Sequence, residues 1–189
     1  MQKRNPDFIM FVGSMFSSKT TRMLSALDRY TYQHKKVIAF KPKMDDRYTE
    51  SEICTHSGLK FPATNVVTGT EIVEKSLGYN IIGVDEAFMI DGCASALLYL
   101  FKQGKTIVVS SLQLSATGRP FDEIKEMFPW ATKIEVCSSI CAKTQNLGYY
   151  TVSKVKNLNE IEIGGKELYE PRCWLATPFM NQNYSEDDD

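Results

Sequence analysis

The chain has 189 residues, a length that predicts one main domain with at most a small appendage. Its hydrophobic share of 43% suits a globular protein, and its net charge of −1 argues against nucleic-acid binding through an extended basic surface. We expect no signal peptide and no membrane segment, because the apolar runs are only strand-sized. Five scattered cysteines fit free thiols in a reducing cytoplasm better than a disulfide framework.

Strand and helix patterns alternate through the N-terminal part of the chain. The predicted strands are Phe8–Val12, Lys36–Phe40, Asn80–Val84 and Lys105–Ser110, and the predicted helices are Lys19–His34, Thr70–Leu77 and Asp91–Gln103. Asp91 is the expected N-cap of the third helix, because its carboxylate can accept a backbone N–H. Buried strands that alternate with helices predict an α/β fold, with a parallel sheet flanked by helices.

The pattern changes after Ser111. A loop from Leu112 to Phe121 precedes a short helix and the strand Lys133–Val136, and a region of strands and turns follows. We therefore predict an α/β nucleotide-binding domain over residues 1–140 and a small β-rich appendage over residues 141–180. Residues 181–189 are expected to form a disordered acidic tail.

A phosphate-binding loop is predicted between the first strand and the first helix. Its residues are Gly13, Ser14, Met15, Phe16, Ser17, Ser18, Lys19 and Thr20. Backbone N–H groups of the loop would wrap phosphates, Lys19 would reach the outer phosphates, and the Thr20 hydroxyl would bind Mg²⁺. Ser18 replaces the usual second glycine, so we expect backbone strain there. A serine-rich turn that caps an ordinary helix is the alternative interpretation.

Two acids end the third predicted strand. Asp85 and Glu86 follow Ile81–Val84, and ligands of open α/β sheets bind at that edge. Asp85 can therefore hold the Mg²⁺ shell together with Thr20, and Glu86 can act as general base toward an acceptor hydroxyl. Alternatively, both acids only cap the helix that follows.

The ordered motifs resemble those of the type II thymidine kinases. MFSSKTTRML resembles the family's MFSGKTTELL, FKPKMDDRY resembles KPxxDxRY, and GVDEAFM resembles GIDEAQFF. Further along, GRPF resembles GEPF, and IGGKELY resembles IGGxExY. The resemblance implies transfer of the γ-phosphate of ATP, with Mg²⁺, to the 5′-hydroxyl of thymidine or a related pyrimidine deoxynucleoside.

The resemblance also implies roles for individual residues. Asp45 and Arg47 would close over the phosphates, with Arg47, Lys19 and Glu86 as catalytic residues. The nucleoside would contact Met15, Phe88, Met89, Leu112, Phe121, Thr151, Ile163, Gly164, Gly165 and Tyr169. For the four apolar residues Met15, Met89, Leu112 and Phe121, core packing is the alternative. A cytoplasmic homotetramer is expected from the family.

Several positions depart from the family pattern. Phe88 replaces a glutamine that helps to order the metal and the substrate, and Ala116 replaces a bulky aromatic residue in the nucleoside pocket. Of the family's four structural zinc ligands, only Cys141 and Cys173 remain, so we expect no structural zinc. Because of these departures, the alternative function is that of a catalytically impaired protein that senses or sequesters nucleotides.

Overall fold

The computed structural model describes residues 5–44, 51–55, 58–155 and 164–180. The predicted site residues Asp45, Arg47 and Ile163 lie outside these ranges, as does the tail over residues 181–189. None of the helices in the described ranges has the length and apolarity needed to cross a membrane.

A six-stranded sheet forms the centre of the molecule. The strands, in chain order, are β1 (Phe8–Gly13), β2 (Val37–Pro42), β3 (Glu52–Cys54), β4 (Lys60–Pro62), β5 (Thr64–Val66), β6 (Ile81–Asp85), β7 (Thr106–Ser111), β8 (Lys133–Cys137), β9 (Ser139–Ile140), β10 (Leu147–Gly148), β11 (Tyr150–Ser153) and β12 (Tyr169–Arg172). The sheet order is β5-β2-β6-β7-β1-β8, and every neighbouring pair is parallel. The predicted parallel α/β fold is confirmed. The predicted strands all form, whereas β5 at the sheet edge was not predicted.

Helices cover both faces of this sheet. They are α1 (Lys19–Tyr32), α2 (Gly69–Lys75), α3 (Cys93–Lys102) and α4 (Asp122–Met127). On one face α1 buries Met23, Leu24 and Leu27 against β1 and β7, and on the other α3 and α4 pack against the same strands. The parallel sheet is thus buried on both faces, as its continuous apolar strands require.

Close packing of α1 on the sheet depends on Gly83. A Cβ atom at this position would lie 2.5 Å from Leu27 Cδ1, so a side chain there would push α1 away from β6. Because Leu27 is fully buried, it has little room to move. The missing side chain therefore lets the N-terminus of α1 reach the carboxyl edge of β6.

The N-terminus of α3 is capped by a distant residue. Its N-cap is Gly92, and the Glu123 carboxylate accepts the N–H groups of Gly92 at 2.8 Å and Ala94 at 2.5 Å. The prediction of Asp91 as N-cap is therefore wrong. A carboxylate from α4 satisfies the free N–H groups that a local side chain was expected to bind.

Two short antiparallel ladders follow the central sheet. Strand β9 pairs with β10, and β11 pairs with β12. The central sheet ends at Cys137 and the first ladder begins at Ser139. The division into domains near residue 140 stays a prediction.

Candidate active site

The predicted P-loop forms a compact turn between β1 and α1. Both Phe16 and Ser18 have φ of 61°, in the left-handed region. The Lys19 ammonium donates to the Ser14 carbonyl at 2.6 Å, and the Ser17 hydroxyl donates to the same oxygen at 2.7 Å. The loop thus folds around one of its own carbonyl groups, with Lys19 almost fully buried.

The loop places conformational constraints on the backbone at Gly13 and Ser18. A Cβ atom on Gly13 would lie 2.1 Å from the Cys137 carbonyl oxygen, so only glycine allows β1 to pair this closely with β8. Ser18 stands at the N-cap of α1 in a conformation that costs a non-glycine residue about 1–2 kcal/mol. The strain expected from the loss of the glycine is therefore present.

A hydrogen bond joins the P-loop to the acidic strand end. The Thr20 hydroxyl lies 3.0 Å from Asp85 Oδ1 and 3.2 Å from Asp85 Oδ2. The two residues are 65 positions apart in the chain, and the packing of α1 on β6 brings them together. The pair predicted to hold Mg²⁺ thus lies within hydrogen-bonding distance.

Asp85 carries a charge in an unfavourable environment. Burial and, to a smaller extent, the neighbouring charge of Glu86 raise the pKa of Asp85 to about 7, although the hydrogen bond from Thr20 and the charge of Lys19 act to lower it. Ser110 on β7 is the register partner of Asp85. Because the environment disfavours the charged form of the Asp85 carboxylate, a cation bound beside it would stabilise that form.

Glu86 lies in a strained turn directly after β6. Its φ is 48°, and it precedes the short 3₁₀ turn Ala87–Met89, whose Met89 N–H donates to the Glu86 carbonyl at 3.0 Å. Such left-handed residues cluster at functional sites, where the surrounding structure holds them in place. The turn places Glu86 beside Asp85 at the sheet edge.

The chain after β8 contacts the P-loop at three points that sequence reasoning missed. The Ser14 and Ser139 hydroxyl groups lie 2.8 Å apart, and each lies 3.1 Å from the Gly148 carbonyl. The Met15 N–H donates to the Thr151 hydroxyl at 2.9 Å. In addition, the Lys166 ammonium lies 5.7 Å from the centre of the Phe16 ring.

The structure places the predicted nucleoside contacts in two groups. Phe88 and Phe121 stack with ring centres 4.4 Å apart, and Met89 and Leu112 pack on the same cluster. Thr151 and Tyr169 are buried in the β11–β12 ladder, and Gly164 and Gly165 precede β12. Core packing, the alternative for the apolar group, accounts for the burial of Phe121.

We predict that Asp85→Asn stabilises the ligand-free protein at alkaline pH. Because the pKa of Asp85 rises from 3.8 to about 7 on folding, the folded chain holds a proton that the unfolded chain has lost between these values. The free energy of unfolding of the parent protein therefore falls as pH rises toward 7. The advantage of the variant in thermal unfolding temperature should grow from about pH 4 to pH 7 and then level off.

Asp28→Asn is the matched control, because Asp28 is exposed on α1. It should leave the pH dependence of thermal unfolding unchanged. An Asp85→Asn advantage of the same size at about pH 5 and pH 8 would contradict a buried charge at Asp85.

Comparison with known proteins gives one consistent result. The family model for thymidine kinase matches residues 7–176. Proteins named thymidine kinase from Thermococcus kodakarensis and Pyrobaculum aerophilum are each 33% identical to this chain over 178 residues. Both alignments cover 87% of this chain, with 90% of the Thermococcus protein and 95% of the Pyrobaculum protein. The motifs that suggested a resemblance therefore belong to an alignment over most of the chain, and the protein is a member of the thymidine kinase family.

Proposed function

We propose that this protein is an ATP-dependent, thymidine kinase-like deoxynucleoside kinase. The observation that carries the proposal is the hydrogen bond between Thr20 and Asp85, with Glu86 as the next residue. It joins a phosphate-binding loop to a pair of acids at one edge of the sheet. The reaction moves the γ-phosphate of ATP to the 5′-hydroxyl of thymidine or a related pyrimidine deoxynucleoside.

The P-loop supplies the site for the triphosphate. Lys19 now donates to the Ser14 carbonyl, and phosphate oxygens can replace this acceptor when ATP binds. Backbone N–H groups of Phe16, Ser17 and Ser18, together with the N-terminus of α1, favour negative charge. The loop positions the phosphates, and positioning with electrostatic stabilisation is most of what phosphoryl transfer requires.

The Thr20 and Asp85 oxygens suit a magnesium ion. Mg²⁺ prefers oxygen ligands and is commonly held by one or two carboxylates plus phosphates. The raised pKa of Asp85 supports this assignment, because a cation would stabilise its charged form. When bound, Mg²⁺ neutralises charge on the phosphates, and Thr20 and Asp85 would hold it.

Glu86 is the proposed general base. It would take the proton of the 5′-hydroxyl as that oxygen forms a bond to the γ-phosphorus. The bond from the γ-phosphorus to the bridging oxygen breaks, and its electron pair leaves with ADP. Arg47, which lies outside the described residues, is proposed to add positive charge in the transition state.

The Phe88–Phe121 pair bears on which nucleoside is accepted. Phe88 is 7% exposed and stacks on Phe121, so its ring fills the core beneath the 3₁₀ turn. A phenyl ring cannot coordinate a metal or donate a hydrogen bond as the family's glutamine does. We therefore propose that ordering of metal and substrate rests on Asp85, Glu86 and Thr20, with a base pocket altered from that of the family.

Assembly and location follow from the family and are likewise proposals. We propose a homotetramer in the cytoplasm. Edge strand β8 exposes Ile134 and Val136, each about half accessible, which supports burial against another copy. Light scattering that finds a monomer would contradict the tetramer.

A panel of nucleosides tests the proposed reaction. Incubation with ATP and Mg²⁺ should convert at least one pyrimidine deoxynucleoside to its 5′-monophosphate, with purine deoxynucleosides converted more slowly. Chromatography of the products measures this directly. Tight ATP binding without turnover of any nucleoside would instead establish the alternative, an impaired nucleotide-binding protein.

Glu86→Gln should lower kcat by about 10²–10⁴-fold, because an amide cannot accept the proton of the 5′-hydroxyl. Binding of ATP and nucleoside, measured by calorimetry, should change only slightly. Glu74→Gln is the matched control, since Glu74 is exposed on α2 and should leave kcat unchanged. Full activity in Glu86→Gln would exclude Glu86 as the base.

Thr151→Val separates two roles for Thr151. It removes the hydroxyl that accepts the Met15 N–H and keeps the side-chain volume. A buried N–H without its partner costs about 1–3 kcal/mol, so we expect ATP affinity to fall about 5–150-fold. Thr151→Ser keeps the hydroxyl and should bind ATP normally. Loss of nucleoside affinity alone would instead support the nucleoside contact implied by the family.

A further inference from the structure

Two tight turns of the appendage bring a pair of cysteines together. In the first turn, between β9 and β10, Cys141 N–H donates to the Asn146 carbonyl at 2.8 Å. In the second, after β12, Ala176 N–H donates to the Cys173 carbonyl at 3.2 Å. Cys141, Cys173 and Ala176 form a separate buried cluster, each no more than 6% exposed.

These residues do not fit the zinc ion that the family pattern implies. The resemblance to the family, whose ligands form two CxxC pairs, places the four ligand positions at Cys141, Thr144, Cys173 and Ala176. Ala176 has no donor atom, and the Thr144 hydroxyl lies 3.2 Å from Cys173 Sγ. A structural zinc site needs four ligands, and within the described ranges no group of three or more His, Cys, Asp or Glu side chains could hold a metal.

Hydrogen bonds join the two turns instead. The Thr144 hydroxyl of the first turn contacts the Cys173 sulfur of the second, and the Ala142 N–H donates to the Pro171 carbonyl at 2.9 Å. Burial raises the pKa of Cys141, but hydrogen bonds from Thr144 and from neighbouring backbone N–H groups outweigh it and lower the pKa to about 7. The two turns are thus connected around the buried pair of cysteines.

The second turn is held by its own hydrogen bonds. The Thr177 hydroxyl donates to the Cys173 carbonyl at 2.7 Å, and the Arg172 guanidinium donates to the Ala176 carbonyl at 2.8 Å. Arg172 is 3% exposed and is also paired with Glu170. This turn therefore has a defined shape that does not require a metal.

We propose that hydrogen bonds between the two turns, packed around the buried Cys141 and Cys173, replace the structural zinc in this protein. Thr144 contributes the hydroxyl that bridges toward Cys173, and the Ala176 methyl group fills the space of the remaining ligand. In the family pattern, Thr144 and Ala176 stand at the two ligand positions that lack a cysteine. The proposal does not depend on the proposed function.

The double substitution Thr144→Cys, Ala176→Cys tests this arrangement. The parent protein, purified after growth with zinc, should carry less than about 0.1 zinc per chain, whereas the double variant should carry about one. Chelation should lower the thermal unfolding temperature of the double variant only. The two single variants are the controls and should retain little zinc.

Two results would overturn the proposal. The first is one zinc per chain in the parent protein. The second is a folded double variant, with the parent's circular dichroism spectrum, that binds no zinc or cobalt.

Thr144→Val keeps the proposal testable if the double variant fails to fold. It removes the hydroxyl next to both sulfurs, whereas Thr144→Ser keeps it. We expect the unfolding temperature to fall by about 2–4 °C in the valine variant and to stay at the parent value in the serine variant. Equal temperatures in all three proteins would contradict a stabilising role for the hydroxyl.

Discussion

The hydrogen bond between Thr20 and Asp85 constrains the rest of the structure. It requires the first turn of α1 to reach the end of β6, which lies two strands from β1 in the sheet. That reach depends on close packing of α1, which the missing side chain of Gly83 allows. The same packing buries Asp85, so one geometric requirement explains both the position of the acid and its raised pKa.

The site contains several unfavourable features that the fold compensates. Ser18 and Glu86 adopt left-handed backbone conformations, and Asp85 is a buried acid beside a second acid. Each feature lies at the carboxyl edge of the sheet, where ligands of such folds bind. Ligands that bind only the folded state stabilise it by mass action, so nucleotide and metal would offset the cost of the buried charge.

The elements and residues that could be predicted are those marked by a pattern within a short segment of the sequence. Apolar runs such as Phe8–Val12 located the sheet, and the ordered Lys19-Thr20 and Asp85-Glu86 motifs predicted the candidate site. Strand β5 has only three residues, too few for a periodic signal. The contact of Ser14 with Ser139 joins residues 125 positions apart, so no local sequence pattern predicts it. Ser110 could have been predicted beside Asp85, because both residues end neighbouring parallel strands.

The contacts of Thr151 connect the P-loop to the β11–β12 ladder. Its hydroxyl holds the Met15 N–H, while its strand β11 pairs with β12, where the family resemblance places contacts to the base. A change in the base pocket that shifts β11 would therefore shift an acceptor of the P-loop. The hairpin of β9 and β10 adds a second link through Ser139. Hydrogen bonds from Ala142 to Pro171 and between Thr144 and Cys173 hold that hairpin to the end of β12. The Gly148 carbonyl, which accepts from both the Ser14 and the Ser139 hydroxyl groups, ties the same hairpin to the phosphate-binding loop.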